Sequence, residues 1–495
     1  MASGFMTLLL VLLAGGGGND LLDYLPTDAY WKAKGVEITV ERMTAELVTG
    51  EPANAEALVR QLGADDFAVR EAATVKLRQL GPAAVPALKR AAESDDPEVK
   101  IRARKLLQAA QAAGGEGKAV RRLMALRALG ELGKPEALPA LRRLAAAKEP
   151  FVADYARQAA AAIEGKPYQR PGATREQLWQ DVCLLPAGCA VVAQVTMPGG
   201  GPVNFAQALE QVKDKIPGGQ DPQMMLGQLA QMLTIAAERV GNIRLLGVTV
   251  GVAGDIGDQG GFVVVVGRGL YDPKAVAATL QQAGGCEPVA VGGLATYSPE
   301  DEVALIPCSP ERFILVAGPR REGLPLQQVA QGVKAGRKQL ALDPAMKQLI
   351  READTTAPMW AVVRMTEQYR TVGLFAPFDT VTATGKQQGE AIALQVVARG
   401  TNEAAVQGAV AEFKTGLQKA RQEIGQAAAQ MPAAKPVADF INSVQVERKG
   451  TTATLTGTLK GQAGMMLMPA MMWMGVARSA PVPAPMEARP VPAPQ

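Results

Sequence analysis

Two hydrophobic periods divide this chain. From about residue 51 to residue 165 apolar side chains recur every three to four positions. Val69, Ala73, Leu77 and Leu80 fall on one face of a helix that ends at Gly81-Pro82. Val85, Leu88 and Ala92 mark a second helix, and Asp96-Pro97 opens a third, with Asp96 as N-cap and Pro97 in the first turn. From residue 187 the period becomes two. Val248, Val250 and Val252 alternate with Thr249 and Gly251. Phe262–Val266 is a continuous apolar run suited to a strand covered on both faces. Near the end, Ala453, Leu455, Gly457 and Leu459 alternate with threonines at 452, 454, 456 and 458, which predicts a strand with one wet face.

The helical region repeats itself. Pro86-Ala87-Leu88-Lys89-Arg90 returns 53 residues later as Pro139-Ala140-Leu141-Arg142-Arg143, and Pro97, Val99 and Ala103 return as Pro150, Val152 and Ala156. Leu80-Gly81 and Leu132-Gly133 match at an offset of 52. A fixed offset over core and turn positions predicts stacked helix pairs whose neighbours cover each other along one seam. Asp66-Phe67-Ala68-Val69-Arg70-Glu71-Ala72-Ala73, the Leu-Gly ending and the Pro-Ala-Leu opening resemble HEAT repeats. That resemblance implies an α-solenoid used for protein–protein contacts rather than catalysis.

The later region reads as an α+β body. Strands are expected near 189–197, 243–254, 260–270 and 288–298, then as a hairpin pair to about 319, and near 358–365, 379–387, 390–400 and 444–460, with helices near 203–239, 273–284, 323–353 and 402–428. Cys189-Ala190-Val191-Val192 echoes Trp360-Ala361-Val362-Val363, and Val265–Gly269 echoes Val396–Gly400. The order fits a duplicated ferredoxin-like β-α-β-β-α-β unit. The expected organisation is a signal peptide (1–18), an N-terminal linker or short helix (19–50), the HEAT-like repeat (51–165) and a linker (166–186). Two α+β units follow (187–355 and 356–461), then a Met-rich segment and Pro-rich tail (462–495). The body also faintly resembles uncharacterised exported bacterial proteins.

Composition narrows the chemistry. The 495 residues include no histidine, which removes Ser-His-Asp triads, His-based zinc sites and imidazole acid–base catalysis. Aromatics at 4% and a net charge of +4 argue against nucleic-acid binding. The opening MASGFMTLLLVLLA, followed by glycines, looks like a secretory signal without its basic leader, so an exported, periplasmic or extracellular location is expected. No transmembrane span is expected in the mature chain.

Candidate sites are few. Lys89, Arg90, Arg142 and Arg143 hold equivalent repeat positions and form a candidate basic ridge for a protein partner or an anionic envelope polymer; the alternative is a solvated face beside helix C-termini. Among Cys183, Cys189, Cys286 and Cys308 the candidate disulfide is Cys286–Cys308. The Gly251–Gly261 stretch and Thr384-Gly385-Lys386 read as hairpin turns, not phosphate loops, because neither leads from a strand into a helix. The Met465–Met474 stretch reads as a flexible apolar contact segment in preference to a copper site. No catalytic, cofactor or metal residue is assigned. The leading expectation is a non-enzymatic interaction scaffold joined to an α+β binding or structural module. The alternative is a His-free, carboxylate-dependent hydrolase on the body.

Overall fold

A computed structural model describes residues 20–47, 55–80, 84–114, 118–197, 234, 241–254, 261–284, 286–300, 302–319, 323–336, 338–370, 375–389, 391–430 and 435–460. The expected signal peptide, the helix over 203–239 apart from Thr234, the glycine turn after Gly254, and the Met-rich and Pro-rich end lie outside the described residues.

The first helices are α1 (Thr27–Ala33), α2 (Val40–Glu46), α3 (Ala55–Gln61), α4 (Phe67–Leu80), α5 (Val85–Ala91), α6 (Pro97–Gly114), α7 (Lys118–Leu132), α8 (Leu138–Leu144) and α9 (Pro150–Ile163). The repeat is visible in their bounds: α5 and α8 start 53 residues apart, as do α6 and α9. Asp96 caps α6 as the sequence predicts, its Oδ1 accepting from the Glu98 N–H at 2.8 Å, and Asp66 does the same for α4, accepting from the Ala68 N–H at 2.7 Å. The second pair closes tightly. A Cβ at Gly130 of α7 would lie 3.0 Å from the Ala159 Cα of α9, so glycine permits the close crossing.

One expectation fails. The two repeats do not share a seam. Leu77, Leu88 and Ala103 of the first belong to a separate cluster drawn from residues 55–107, with Ala55 and Leu62 among its members. Leu129, Leu141 and Ala156 of the second merge with Leu21, Leu25, Trp31 and Met43, and with Leu305, Phe313 and Leu315 of the sheet. Residues 20–47, within the segment expected as a linker or short helix, pack as part of the fold: they lay α1 and α2 over α7.

The body is one antiparallel sheet. Its strands are β1 (Cys189–Thr196), β2 (Arg244–Ala253), β3 (Phe262–Leu270), β4 (Val289–Val291), β5 (Leu294–Glu300), β6 (Val303–Ser309), β7 (Arg312–Ala317), β8 (Met359–Arg364), β9 (Phe378–Gln388), β10 (Ala391–Gly400), β11 (Gln445–Lys449) and β12 (Thr452–Lys460). They line up as β11-β12-β10-β9-β8-β1-β2-β3-β7-β6-β5-β4. The ferredoxin-like order is therefore corrected. In that unit a helix returns the chain to a parallel strand with another strand between; here β1 pairs β2 directly and antiparallel, Val192 opposite Gly251. Period-two patterning reports which residues share a face, not which strands are neighbours. The two expected units meet at β1 and β8, where Ala193 faces Ala361. Outward from that pair each half runs through its next two strands and then a hairpin, β7-β6 on one side and β12-β11 on the other.

Coverage differs between the halves. Around β3, β6 and β7 one face packs on the helical region, through Val265, Leu305 and Leu315. The other packs on α12 (Leu326–Lys334) and α13 (Pro344–Glu352), through Val264, Ile306 and Val316 against Val329, Met346 and Ile350. Around β9, β10 and β12 one face is covered by α15 (Glu403–Gln430) and α16 (Lys435–Ser443), with Phe440 and Val444 against Ile392 and Leu459. The opposite face carries Thr384, Gln395 and Thr456 in one register row and is at least partly open to solvent, as the alternation in β12 predicts. The remaining helices are α10 (Arg175–Val182), α11 (Pro273–Gly284) and α14 (Glu367–Arg370). Helix α10 lies inside the expected 166–186 linker, and its Leu178 fills the space above Gly247 of β2.

Candidate functional site

The exposed basic positions and the buried charges of the helical region behave differently. Lys89 and Arg90 end α5, and Arg142 and Arg143 lie at the end of α8; all four are exposed. Two are neutralised. Arg90 pairs with Glu56 of α3, and Arg142 with Glu164 at 2.8 Å. Hydrogen bonds from Arg142 and then Lys166 hold the Glu164 carboxyl down at about 2. Lys89 and Arg143 meet no carboxylate among the described residues. The ridge is thus half compensated, and only these two residues remain as free cationic contacts.

A denser cluster lies where the helices meet the sheet. Arg244, the first residue of β2, is 1% exposed, and Asp20 is fully buried. The Arg244 guanidinium donates to Asp20 Oδ2 at 2.9 Å and to Asp154 Oδ2 of α9 at 2.5 Å. Arg170 donates to Asp23 Oδ1 at 3.0 Å and to Gln158 Oε1 at 2.7 Å, and its guanidinium lies 5.3 Å from the centre of the Tyr155 ring. Tyr155 OH donates to Asp23 at 3.4 Å, and Tyr168 OH donates to Asp154. The main chain joins in, Leu21 N–H donating to the Ile243 carbonyl at 2.9 Å. Four stretches of sequence converge here: residues 20–23, α9, residues 168–170 and β2.

The environment splits the acids. Burial, followed by the nearby Asp20 charge, pushes Asp23 above its ordinary value. Burial acts on Asp20 too, but the charge and hydrogen bonds of Arg244 and the charge of Arg170 outweigh it and hold that carboxyl low. Opposed shifts in neighbouring carboxyls are what acid–base catalysis needs. Here, however, the acids lie beneath the surface and their oxygens are engaged by guanidinium groups. The arrangement can fasten the helices to the sheet; it offers a substrate no access. A smaller version holds α10. Arg268 of β3 donates to both oxygens of Asp181 at 2.6 Å, and Arg312 of β7 approaches it at 2.8 Å. Burial pushes Asp181 up despite both partners.

The cysteines do not form the expected bridge. None of Cys183, Cys189, Cys286 and Cys308 takes part in a disulfide. Val289 faces Thr296, so Cys286 lies toward the Ser298-Pro299 end of β5, whereas Tyr297 faces Leu305, which places Cys308 toward the Leu294 end. The hairpin therefore separates them. Burial raises Cys189 and Cys308 to about 12, so neither is an activated nucleophile. Thr384, Lys386, Gln395, Gln445 and Thr456 line a shallow depression of about 350 Å³ on the open sheet face. Its only charged lining group, Lys386, is paired with Asp354 at 2.7 Å. Among the described residues, no three acidic or cysteine side chains are grouped to hold a metal ion. No helix among them is long and apolar enough to cross a membrane.

Asp20, Asp154, Arg170 and Arg244 were not singled out from the sequence. One signal was present: the repeat places Asp154 where the first copy has Ile101, and Tyr155 where it has Arg102. A carboxylate replacing an apolar residue at a repeat position marks a changed environment.

The family described as PBS lyase HEAT-like repeat matches residues 122–146, spanning much of α7 and all of α8. No curated protein matches the chain. Solved structures similar to it include "Structure of crystal form I of TP0453", with a TM-score of 0.31, 8% identity, and coverage of 62% of this chain and 99% of that one. Crystal form III of the same protein gives 0.32, 8%, 59% and 97%. Scores this low do not establish a shared fold.

Proposed function

We propose that this is an exported, non-enzymatic protein in which a HEAT-like helical array holds a protein partner and the antiparallel sheet serves as the platform on which the array is mounted. The observation that carries this is the unequal use of two equivalent helix pairs. The second is fixed to the sheet by buried ion pairs; the first keeps its own small core and presents its outer surface to solvent. An array of this kind offers a rigid, polar surface suited to protein contacts. The buried, arginine-bound carboxylates speak against a hydrolase, because a general acid must reach the group it protonates. The apolar N-terminal run supports export.

Affinity capture with the full chain tests the reading. Partners captured by the unaltered protein are expected to be lost when surface positions of the array are reversed, in Lys89→Glu/Arg143→Glu or in Ile101→Glu. A partner set indifferent to all of these changes would overturn the scaffold. Turnover in a hydrolase panel that disappears in Asp23→Asn, with folding intact, would replace it with the enzymatic alternative.

A further inference from the structure

The two repeats can be superposed by sequence, and the comparison marks a specific surface. At the offset of 52, Ala73 and Leu77 of α4 correspond to Ala125 and Leu129 of α7, and all four are buried. The next face of each helix then corresponds as well: Val69, Ala72 and Val75 on α4 match Arg121, Met124 and Arg127 on α7.

On α7 that face is occupied. Arg121 pairs with Glu46 of α2 at 2.7 Å and its guanidinium stacks over Trp31, 5.4 Å from the ring centre. The Met124 carbonyl accepts from the Trp31 indole N–H at 3.5 Å. Arg127 donates to the carbonyls of Leu22 and Leu25 at 2.8 and 2.9 Å. The occupant is the chain's own segment 20–47, an amphipathic stretch with twice as many acidic as basic side chains.

On α4 the same positions are exposed. Val69 is 37% exposed, Val75 is 46% exposed, and Ala72 between them is also exposed. Spaced three apart, they form one apolar stripe along the helix. Lys76 beside the stripe is exposed and meets no carboxylate among the described residues. An apolar stripe flanked by a free cation complements an amphipathic helix with acidic flanks, the helix-in-groove mode of recognition.

We infer that the Val69–Ala72–Val75 stripe of α4 is a docking surface for an acidic amphipathic helical segment of a partner protein, in the position that residues 20–47 take on α7. The inference rests on the scaffold reading and gives it an address. A labelled peptide of residues 20–47 is the probe, titrated into the full-length protein and followed by fluorescence anisotropy. Saturable binding is expected. It should weaken about tenfold or more in Val75→Asp, which corresponds to about 1.4 kcal/mol, and by a smaller factor in Lys76→Glu. It should be unchanged in Val289→Asp, an exposed apolar position on the edge strand β4. Because Val75 is exposed, its replacement should leave the melting temperature in place, which separates lost docking from lost folding. No saturable binding, or equal binding to wild type and Val75→Asp, overturns the inference. So does self-association of the full chain that Val75→Asp abolishes, since a second copy would then be the occupant. If the peptide fails while captured partners still depend on Lys89 and Arg143, the scaffold stands and the stripe alone falls.

Discussion

The two helix pairs are copies in sequence and opposites in use. α5 and α8 are each seven residues long, open on Pro-Ala-Leu, and bury the same leucine, Leu88 in one and Leu141 in the other. Their surroundings differ because a few positions outside the shared leucine core differ. Asp154 and Tyr155 give α9 the means to hold Arg244, Asp23 and, through them, the sheet; Ile101 and Arg102 at the corresponding places in α6 cannot. Arg102 instead bonds Glu71 and Glu98 within its own repeat, at 2.6 and 3.1 Å. The shared apolar residues set the hairpin, and the residues on its other faces decide whether it becomes a foundation or a surface.

The comparison is broken most forcefully at Arg244. Replacing it with Met leaves Asp20 and Asp154 short of a buried counter-charge. Removing one partner of such a network costs roughly 3–5 kcal/mol. Denaturant unfolding should show that loss, whereas Arg90→Met in the first repeat, whose pair with Glu56 is exposed, should change stability by no more than about 1 kcal/mol. Equal effects would mean that the ionic fastening is not what distinguishes the pairs.

A second test concerns cooperativity. Leu88→Ala and Leu141→Ala each remove a buried leucine, with an expected cost of about 2–5 kcal/mol. In Leu88→Ala, hydrogen exchange should quicken chiefly in residues 55–114, because their core is separate. In Leu141→Ala, the faster exchange should extend to residues 20–47 and to the ends of β2 and β7, which share its core. Uniform acceleration in both variants would show one cooperative body.

Acid titration sharpens the contrast further. Asp20 is held below its ordinary value, so its contribution is complete above that value and is lost as pH falls through the lowered one. Asp23 runs the other way. Its raised value means that stability declines as pH climbs from the ordinary carboxylate range through the folded value. Asp23→Asn should therefore flatten the decline on the neutral side of that interval, as read from melting temperature against pH. The smallest effect belongs to the exposed pair at Glu164. Its carboxyl, held at about 2 against an ordinary 4.5, contributes above 4.5 and loses that contribution as pH falls toward 2. The difference in melting temperature between wild type and Glu164→Gln should close over that range.

Much of the fold is legible because its determinants are local. Asp96-Pro97 announces α6, Pro273 opens α11, and alternating threonines announce β12 with its wet face. The period of the repeat is legible for the same reason. What escapes is the pairing of distant groups. Nothing near Arg244, set among leucines and valines, says that it will meet Asp20 and Asp154, and strand order across the sheet is equally non-local. The segment over 166–186 reads as a linker because its two anchors, Arg170 and Asp181, are polar, and burial is what turns them into structural residues. The exposed ridge, by contrast, was readable by residue type and position, but the compensation of Arg90 and Arg142 required their neighbours in space.

The tie between Asp20 and Arg244 also orders events in time. Their carboxylate–guanidinium bond spans 224 residues of chain. At about 5–20 residues per second of synthesis, the start of the protein waits roughly ten to forty seconds for the strand that will receive it. Through that interval the helix pair over 118–163 can form on the ribosome, but its lid at residues 20–47 has no sheet to close against. The leading segment thus stays available to whatever handles nascent chains until β2 emerges.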